Sequence, residues 1–172
     1  MKAIGARART FLLVSIAVLA APTSAKKAPA YKTPEHFSAL AFQVWTGDDD
    51  LRSHSEAWVD LTFPNGTQKR CWLKKFDEQG WDNNTEHDGR QCILPAPRTF
   101  SQLRATKFKF SYAGQGAEFQ TWDNWNVDRV RVAAQDFHRH HFPCLIDASG
   151  NPLVRMTLHL GSLRLDQLPS TC

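Results

Sequence analysis

Sustained helical periodicity is missing from this chain: no stretch keeps apolar residues at a spacing near 3.6 through three turns, which excludes a helical bundle. Catalytic signatures are missing too. There is no Gly-x-Ser-x-Gly elbow, no His-Glu-x-x-His pair and no glycine-rich phosphate loop, so the common serine-hydrolase, zinc-protease and nucleotide-hydrolase chemistries have no anchor. The four cysteines include no Cys-x-x-Cys, which takes away the zinc-knuckle and thioredoxin-like readings. No segment repeats at a fixed period. The one continuous apolar run, from Phe11 to Ala21, is shorter than the roughly 20 residues a membrane span needs.

An excess of one charge sign is absent once the start of the chain is set aside. Lys2, Arg7 and Arg9 precede that apolar run, and Thr23, Ser24 and Ala25 follow it as small residues, the three-part pattern of a signal peptide cut after Ala25. Taking those three from the 21 Lys and Arg leaves 18 against 17 Asp and Glu, a balance with no footprint for nucleic acid. Residues 26–38, rich in Lys, Ala and Pro, read as a flexible lead-in, and the rest is enough for one domain with a core. Export predicts a secreted or periplasmic protein, not an integral membrane one, in a compartment where disulfides persist. Four cysteines permit three pairings; Cys71 with Cys92 and Cys144 with Cys172 are favoured because each closes a compact local loop.

What the sequence does contain is alternation. Leu40, Phe42 and Val44 share one side of a first strand; Ala57, Val59, Leu61 and Phe63 share one side of a second, with Trp58, Asp60 and Thr62 opposite. Asn65-Gly66 reads as a hairpin turn into Gln68 to Leu73, because that dipeptide tolerates positive φ. Further strands are expected at Arg90 to Leu94, stopped by Pro95 and Pro97, at Arg104 to Tyr112, at Glu118 to Trp122 and at Val127 to Ala133. Phe142 to Ile146, a turn at Asp147 to Pro152, and Leu153 to Leu160 complete the pattern, and Asp136 to His141 has room for one helical turn. The fold class is all-β: an antiparallel β-sandwich of about eight strands.

Two polar loops stand out. Asp48, Asp49 and Asp50 are adjacent carboxylates after the first strand, and Asp123, Asn124 and Asn126 flank Trp125 before a late one. Such residues are hard oxygen ligands of the kind calcium takes, if the two loops meet. The other reading is a solvated turn whose side chains bond their own backbone, with Arg52 neutralising the acids by pairing with them or with Asp128. Trp45 and Trp58 oppose the aliphatic faces of their strands and are either exposed together, as stacking or interfacial aromatics, or covered by the tail. Trp81, beside Gly80 and near Asn84 in a polar loop, is the expected exposed binding aromatic. His138, His140 and His141 form a cluster with weak metal-site spacing.

Trp125-Asn126-Val127-Asp128-Arg129-Val130-Arg131-Val132 resembles the closing strand of PLAT/LH2 domains, and Phe42-Gln43-Val44-Trp45-Thr46-Gly47-Asp48 resembles their first strand and its Thr-Gly-Asp loop. Thr46-Gly47-Asp48-Asp49-Asp50-Leu51-Arg52 with Asp123-Asn124-Trp125-Asn126 is also similar to a looser group of secreted bacterial β-domains. The likeness covers roughly residues 39–133. It implies a two-sheet sandwich that binds a lipid or membrane surface or a partner protein, in some members with calcium, and puts Trp125 in the core. His54-Ser55-Glu56 departs from the family's Gly-Thr-Asp, and residues 134–172 lie beyond its usual end, where an added C-terminal hairpin stapled by Cys144 and Cys172 is expected on the same domain. The resulting expectation is a non-catalytic binding module. Its ligand, a lipid surface, a carbohydrate or a protein, would meet the loops of residues 46–52, 79–84 and 123–126. The alternatives are an exported hydrolase using loop carboxylates and an inhibitor or envelope protein.

Overall fold

A computed structural model describes residues 35–114, 124–136, 141–157 and 162–172. Among the described residues there are eight strands: β1 Phe37–Thr46, β2 Glu56–Thr62, β3 Gln68–Lys74, β4 Glu86–Arg98, β5 Lys107–Ala113, β6 Trp125–Gln135, β7 His141–Met156 and β8 Ser162–Arg164. They form two four-stranded antiparallel sheets, β4-β1-β6-β7 and β3-β2-β5-β8. The all-β, two-sheet architecture expected from the alternation is the one the chain adopts.

Each strand turns its aliphatic face inward. Phe42 and Val44 of β1, Val59 and Leu61 of β2, Phe108 and Phe110 of β5, and Val130 and Val132 of β6 are buried in one core, each large side chain worth about 2 kcal/mol of transfer from water. Trp125 is fully buried, edge-on to Phe110 at 5.5 Å and tilted against Tyr112 at 6.2 Å. The Asn65-Gly66 turn forms as expected: Gly66 has φ 81°, and Phe63 N–H donates to Thr67 O at 2.9 Å.

The cysteines pair as favoured. Cys71–Cys92 ties β3 to β4, the edge strands of opposite sheets, and Cys144–Cys172 returns the C-terminus to β7. The stapled C-terminal stretch supplies the fourth strand of each sheet, β7 to one and β8 to the other, and Thr171 N–H donates to Asp147 O at 3.0 Å.

Several local expectations need correction. The turn expected over residues 147–152 is a bulge: Arg129 pairs with Ser149 and Val127 with Val154, so β7 stays on β6 on both sides of the extra residues. Pro95 and Pro97 do not stop β4. It is an edge strand, its register on β1 jumps between Ile93 and Arg98, and the prolines sit in that irregular stretch, where no ladder hydrogen bond is lost. Arg104 belongs to a short helix, α1 Phe100–Arg104, rather than to β5. The strand expected at Glu118 to Trp122, most of the helical turn at Asp136 to His141, and residues 158–160 of the final strand lie outside the described residues.

Candidate functional site

The antiparallel register decides which loops meet. β1 pairs with β4 on one side and β6 on the other, so the end of β1, Trp45 and Thr46, lies beside the start of β4 at Glu86 and the start of β6 at Val127. Residues 47–55, 79–85 and 124–126 are therefore at one end of the sandwich. The acidic turn and the asparagine-tryptophan turn touch there. Gly47 N–H donates to Asn126 O at 2.8 Å, Asn126 N–H donates to Asp49 O at 3.2 Å, and the Asn126 side-chain amide donates to the Asp48 carboxylate. Gly47 packs closely on this contact: a Cβ there would lie 2.5 Å from Asp128 Oδ1, so the Asp128 carboxylate would have to move aside.

The middle loop is tied to the same knot. Thr46, at the end of β1, accepts from Thr85 N–H at 3.0 Å and donates through its hydroxyl to Asp82 O at 2.5 Å. Asn84, exposed and left-handed with φ 54°, donates its N–H to Gly47 O at 2.8 Å. Leu51 and Trp81 exchange both backbone bonds, at 3.0 and 2.7 Å. The far end of the acidic loop is closed from below by Lys74, whose side chain has 0% exposure and whose ammonium donates to Ser53 O at 2.7 Å and Ser55 O at 2.6 Å. Alternation would place Lys74 outside beside Trp72. A register shift between Ala57 and Trp58 turns it inward, which is why it could not be read from the sequence.

The electrostatics of the acidic turn are settled largely within the protein. Burial raises the Asp49 carboxyl above its ordinary value, and Arg155, 3.2 Å away, works against that rise. Arg155 lies 106 residues from Asp49 in sequence and reaches it because β7 flanks β6. Arg52, the partner foreseen, is exposed and also acts on Asp49 to lower it. The donors fit calcium in kind, being all oxygen. Among the described residues no three His, Cys, Asp or Glu side chains gather around one point, although Asn126, only 5% exposed, keeps its Oδ1 without a partner. Asn124 is described and half-buried; Asp50 is half-buried; Asp123, His138 and His140 lie outside the described residues, as does the His141 side chain.

The tryptophans differ from expectation. Trp45 and Trp58 are not exposed together: β1 and β2 belong to different sheets, so the two rings lie on opposite outer faces. Each is half-buried under an arginine, Arg129 at 4.7 Å over Trp45 and Arg70 at 4.7 Å over Trp58. Trp81 is half-buried rather than free. It stacks on His87 at 4.3 Å with the planes 8° apart and meets Trp125 edge-on at 5.6 Å. Burial lowers the His87 pKa, with Asp82 pulling the other way. Thr85 Oγ1 donates to Asp82 O at 2.6 Å and so accepts at 2.7 Å from His87 Nε2, which fixes the protonated nitrogen of the neutral ring.

Beside this pair the loop end opens into two adjoining hollows. One, about 260 Å³, has Val44 and Leu73 in its floor and Trp81, His87, Glu86 and Asp88 around it. The second, about 400 Å³, shares Trp81 and His87 and adds Glu78 and Asp82. Arg90 lines both and is paired with Glu78. The result is a cleft with an aromatic plane, an imidazole, an arginine and several carboxylates, able to donate and accept hydrogen bonds along its length. Comparison with family models, with curated proteins and with solved structures finds no match to this chain.

Proposed function

We propose that this chain is an exported, PLAT-like, non-catalytic binding module that takes a carbohydrate in the cleft beside Trp81 and His87 at its loop end. The observation that carries the reading is the cleft itself. Glu78, Asp82, Glu86, Asp88 and Arg90 offer the alternating acceptors and donors that sugar hydroxyls need, around an aromatic plane already held by Trp125. The two disulfides suit an oxidising compartment, and among the described residues no helix is long and apolar enough to cross a membrane.

A lipid surface, the other ligand implied by the resemblance, is supported less. Of the large apolar side chains described, only Phe76 and Ile93 are exposed, and Phe76 is the one near this end, edge-on to His54 at 5.2 Å. Calcium assistance rests on the unpartnered Asn126 Oδ1 and the half-buried Asp49. An ion bound only by the folded chain raises its melting temperature, and the rise disappears in Asp48→Asn. No rise at millimolar calcium removes the ion.

The test is calorimetric titration of the exported chain with a panel of neutral oligosaccharides, alongside Asp82→Asn and Arg90→Ala. Binding that weakens at least about tenfold in both variants, at unchanged melting temperature, supports the proposal. A folded protein that binds no saccharide, or binds equally well in both variants, overturns it. Saccharide hydrolysis abolished by Asp82→Asn would turn the reading into that of a hydrolase.

A further inference from the structure

The outer face of the β3-β2-β5-β8 sheet carries more cations than its carboxylates pair with. Register places Arg70 opposite Asp60, Asp60 opposite Lys109, and Lys109 opposite Arg164, so four charged side chains cross the sheet in one row. With neighbouring strands about 4.8 Å apart, that row spans roughly 14 Å. Lys107 lies two residues along β5, about 6.8 Å away on the same face. The row borders a groove of about 500 Å³.

Only part of this charge is balanced. Asp60 holds Arg70 through two bonds, at 2.7 and 3.1 Å, and Asp166 holds Arg164. Lys107 and Lys109 are exposed and have no ion pair among the described residues. Arg70 is also fixed in orientation. Its guanidinium lies 4.7 Å over Trp58 and 5.5 Å over Trp72, the Trp58 indole N–H donates to Asp60 at 3.0 Å, and its bonds to Asp60 run through Nε and Nη2, leaving Nη1 to face an outside anion. A planar donor fixed in place before binding loses little freedom when it binds.

We infer that this sheet face binds an anionic polysaccharide, with Arg70, Lys107, Lys109 and Arg164 pairing with carboxylate or sulfate groups on successive sugar rings. A polymer with regularly spaced charge matches a grid of cations set by strand spacing, and half-buried Trp58 and Trp72 border that grid with apolar surface for ring faces. An anionic membrane is the less suited occupant, since only one exposed large apolar residue, Ile93 at the neighbouring edge, borders Arg70 and Trp72 among the described residues. Its groove shares no lining residue with the loop-end cleft, although a hollow of about 310 Å³ at the sandwich edge is lined by Arg70 and Trp72 on one side and Arg90 on the other.

The experiment measures retention of the full chain on immobilised polygalacturonate and on a sulfated glycosaminoglycan, with a neutral polysaccharide and anionic lipid vesicles as the other arms. Binding to the anionic polysaccharides is expected to fall steeply with salt. It is also expected to weaken by on the order of tenfold in Lys107→Gln with Lys109→Gln, and to be unchanged in Arg155→Gln, which removes an exposed cation from β7 of the other sheet. The melting temperature of the double variant should match that of the parent, so a loss of binding is not a loss of fold. No retention on either anionic polysaccharide at low salt, retention indifferent to the double change, or capture by vesicles alone would each overturn the inference. Asp82→Asn leaves this binding intact, which keeps failure here distinct from failure at the cleft.

Discussion

Charge at the loop end is engaged, whereas charge on the outer face of the β3-β2-β5-β8 sheet is in part free. At the loop end Asp48 meets the Asn126 amide, Asp49 meets Arg155, Glu78 meets Arg90, and the Lys74 ammonium sits among backbone carbonyls. On the sheet face Lys107 and Lys109 have no such partner among the described residues. The difference separates two uses of charged side chains. Those satisfied within the fold shape loops and meet a ligand only through the hydrogen-bonding atoms their partners leave, as Glu78 and Arg90 would in the cleft, whereas those left over meet it outright. The outer face of the other sheet makes the same point: Arg129 lies over Trp45 and is bridged to Asp147 much as Arg70 lies over Trp58 and is bridged to Asp60, but there the next cation, Arg131, is also joined, through Gln43 to Glu86, whereas Lys109 has no ion pair among the described residues.

The sharpest way to break the comparison is at Lys74. Lys74→Met removes the donor that holds Ser53 O and Ser55 O, the second of them in a buried setting, so it should cost about 3 kcal/mol, read from denaturant unfolding. A cost near zero would mean that the acidic loop does not depend on that ammonium. On the other outer face, Arg129→Ala strips Asp147, a largely buried carboxylate, of two bonds and should cost about 1 to 2 kcal/mol, whereas Arg70→Ala, on a more exposed pair, should cost under about 1 kcal/mol. Equal costs would erase the distinction between locked and open faces.

Acid gives a third measurement. The His87 pKa is lowered in the folded chain, so below its ordinary value of 6.5 the unfolded state binds a proton that the folded state resists. Stability should therefore fall as pH drops through 6.5 toward the folded value, and His87→Gln should flatten that part of the profile. The bridge between Arg129 and Asp147 acts at lower pH. Arg129 holds the Asp147 carboxyl below 3.8, so the stability it contributes is full above that value and is lost as pH falls through the folded one. The smallest effect is expected from Lys107→Gln with Lys109→Gln, within about 0.5 kcal/mol of the parent, because both side chains are exposed and Lys109 adds only a through-space pull on Asp60.

Much of this was legible in the sequence, and the exceptions share a cause. Period-two alternation places Val59, Leu61, Phe108 and Phe110 in the core and Lys107 and Lys109 outside. The Asn65-Gly66 turn, both disulfides and the contact between the acidic turn and Asn126 follow from local chemistry and strand order. Alternation reports which side of a strand faces the core and is silent on which sheet the strand joins, so Trp45 and Trp58 read as neighbours when they are on opposite faces. A register shift breaks the period at Lys74, and a bulge does so at residues 150–153. The helix α1 had its signal in Thr99 and Gln102, whose reciprocal capping bonds begin it, but five residues are too few to register as a periodic pattern.

The account rests on two binding regions that act independently, one a polar cleft and one a cationic sheet face. The most direct measurement titrates the parent chain, Asp82→Asn with Arg90→Ala, and Lys107→Gln with Lys109→Gln against one neutral oligosaccharide and one anionic polysaccharide. The predicted result is that the first pair of substitutions weakens only the neutral ligand and the second only the anionic one. A single pair that abolishes both, or a folded parent that binds neither, would contradict it.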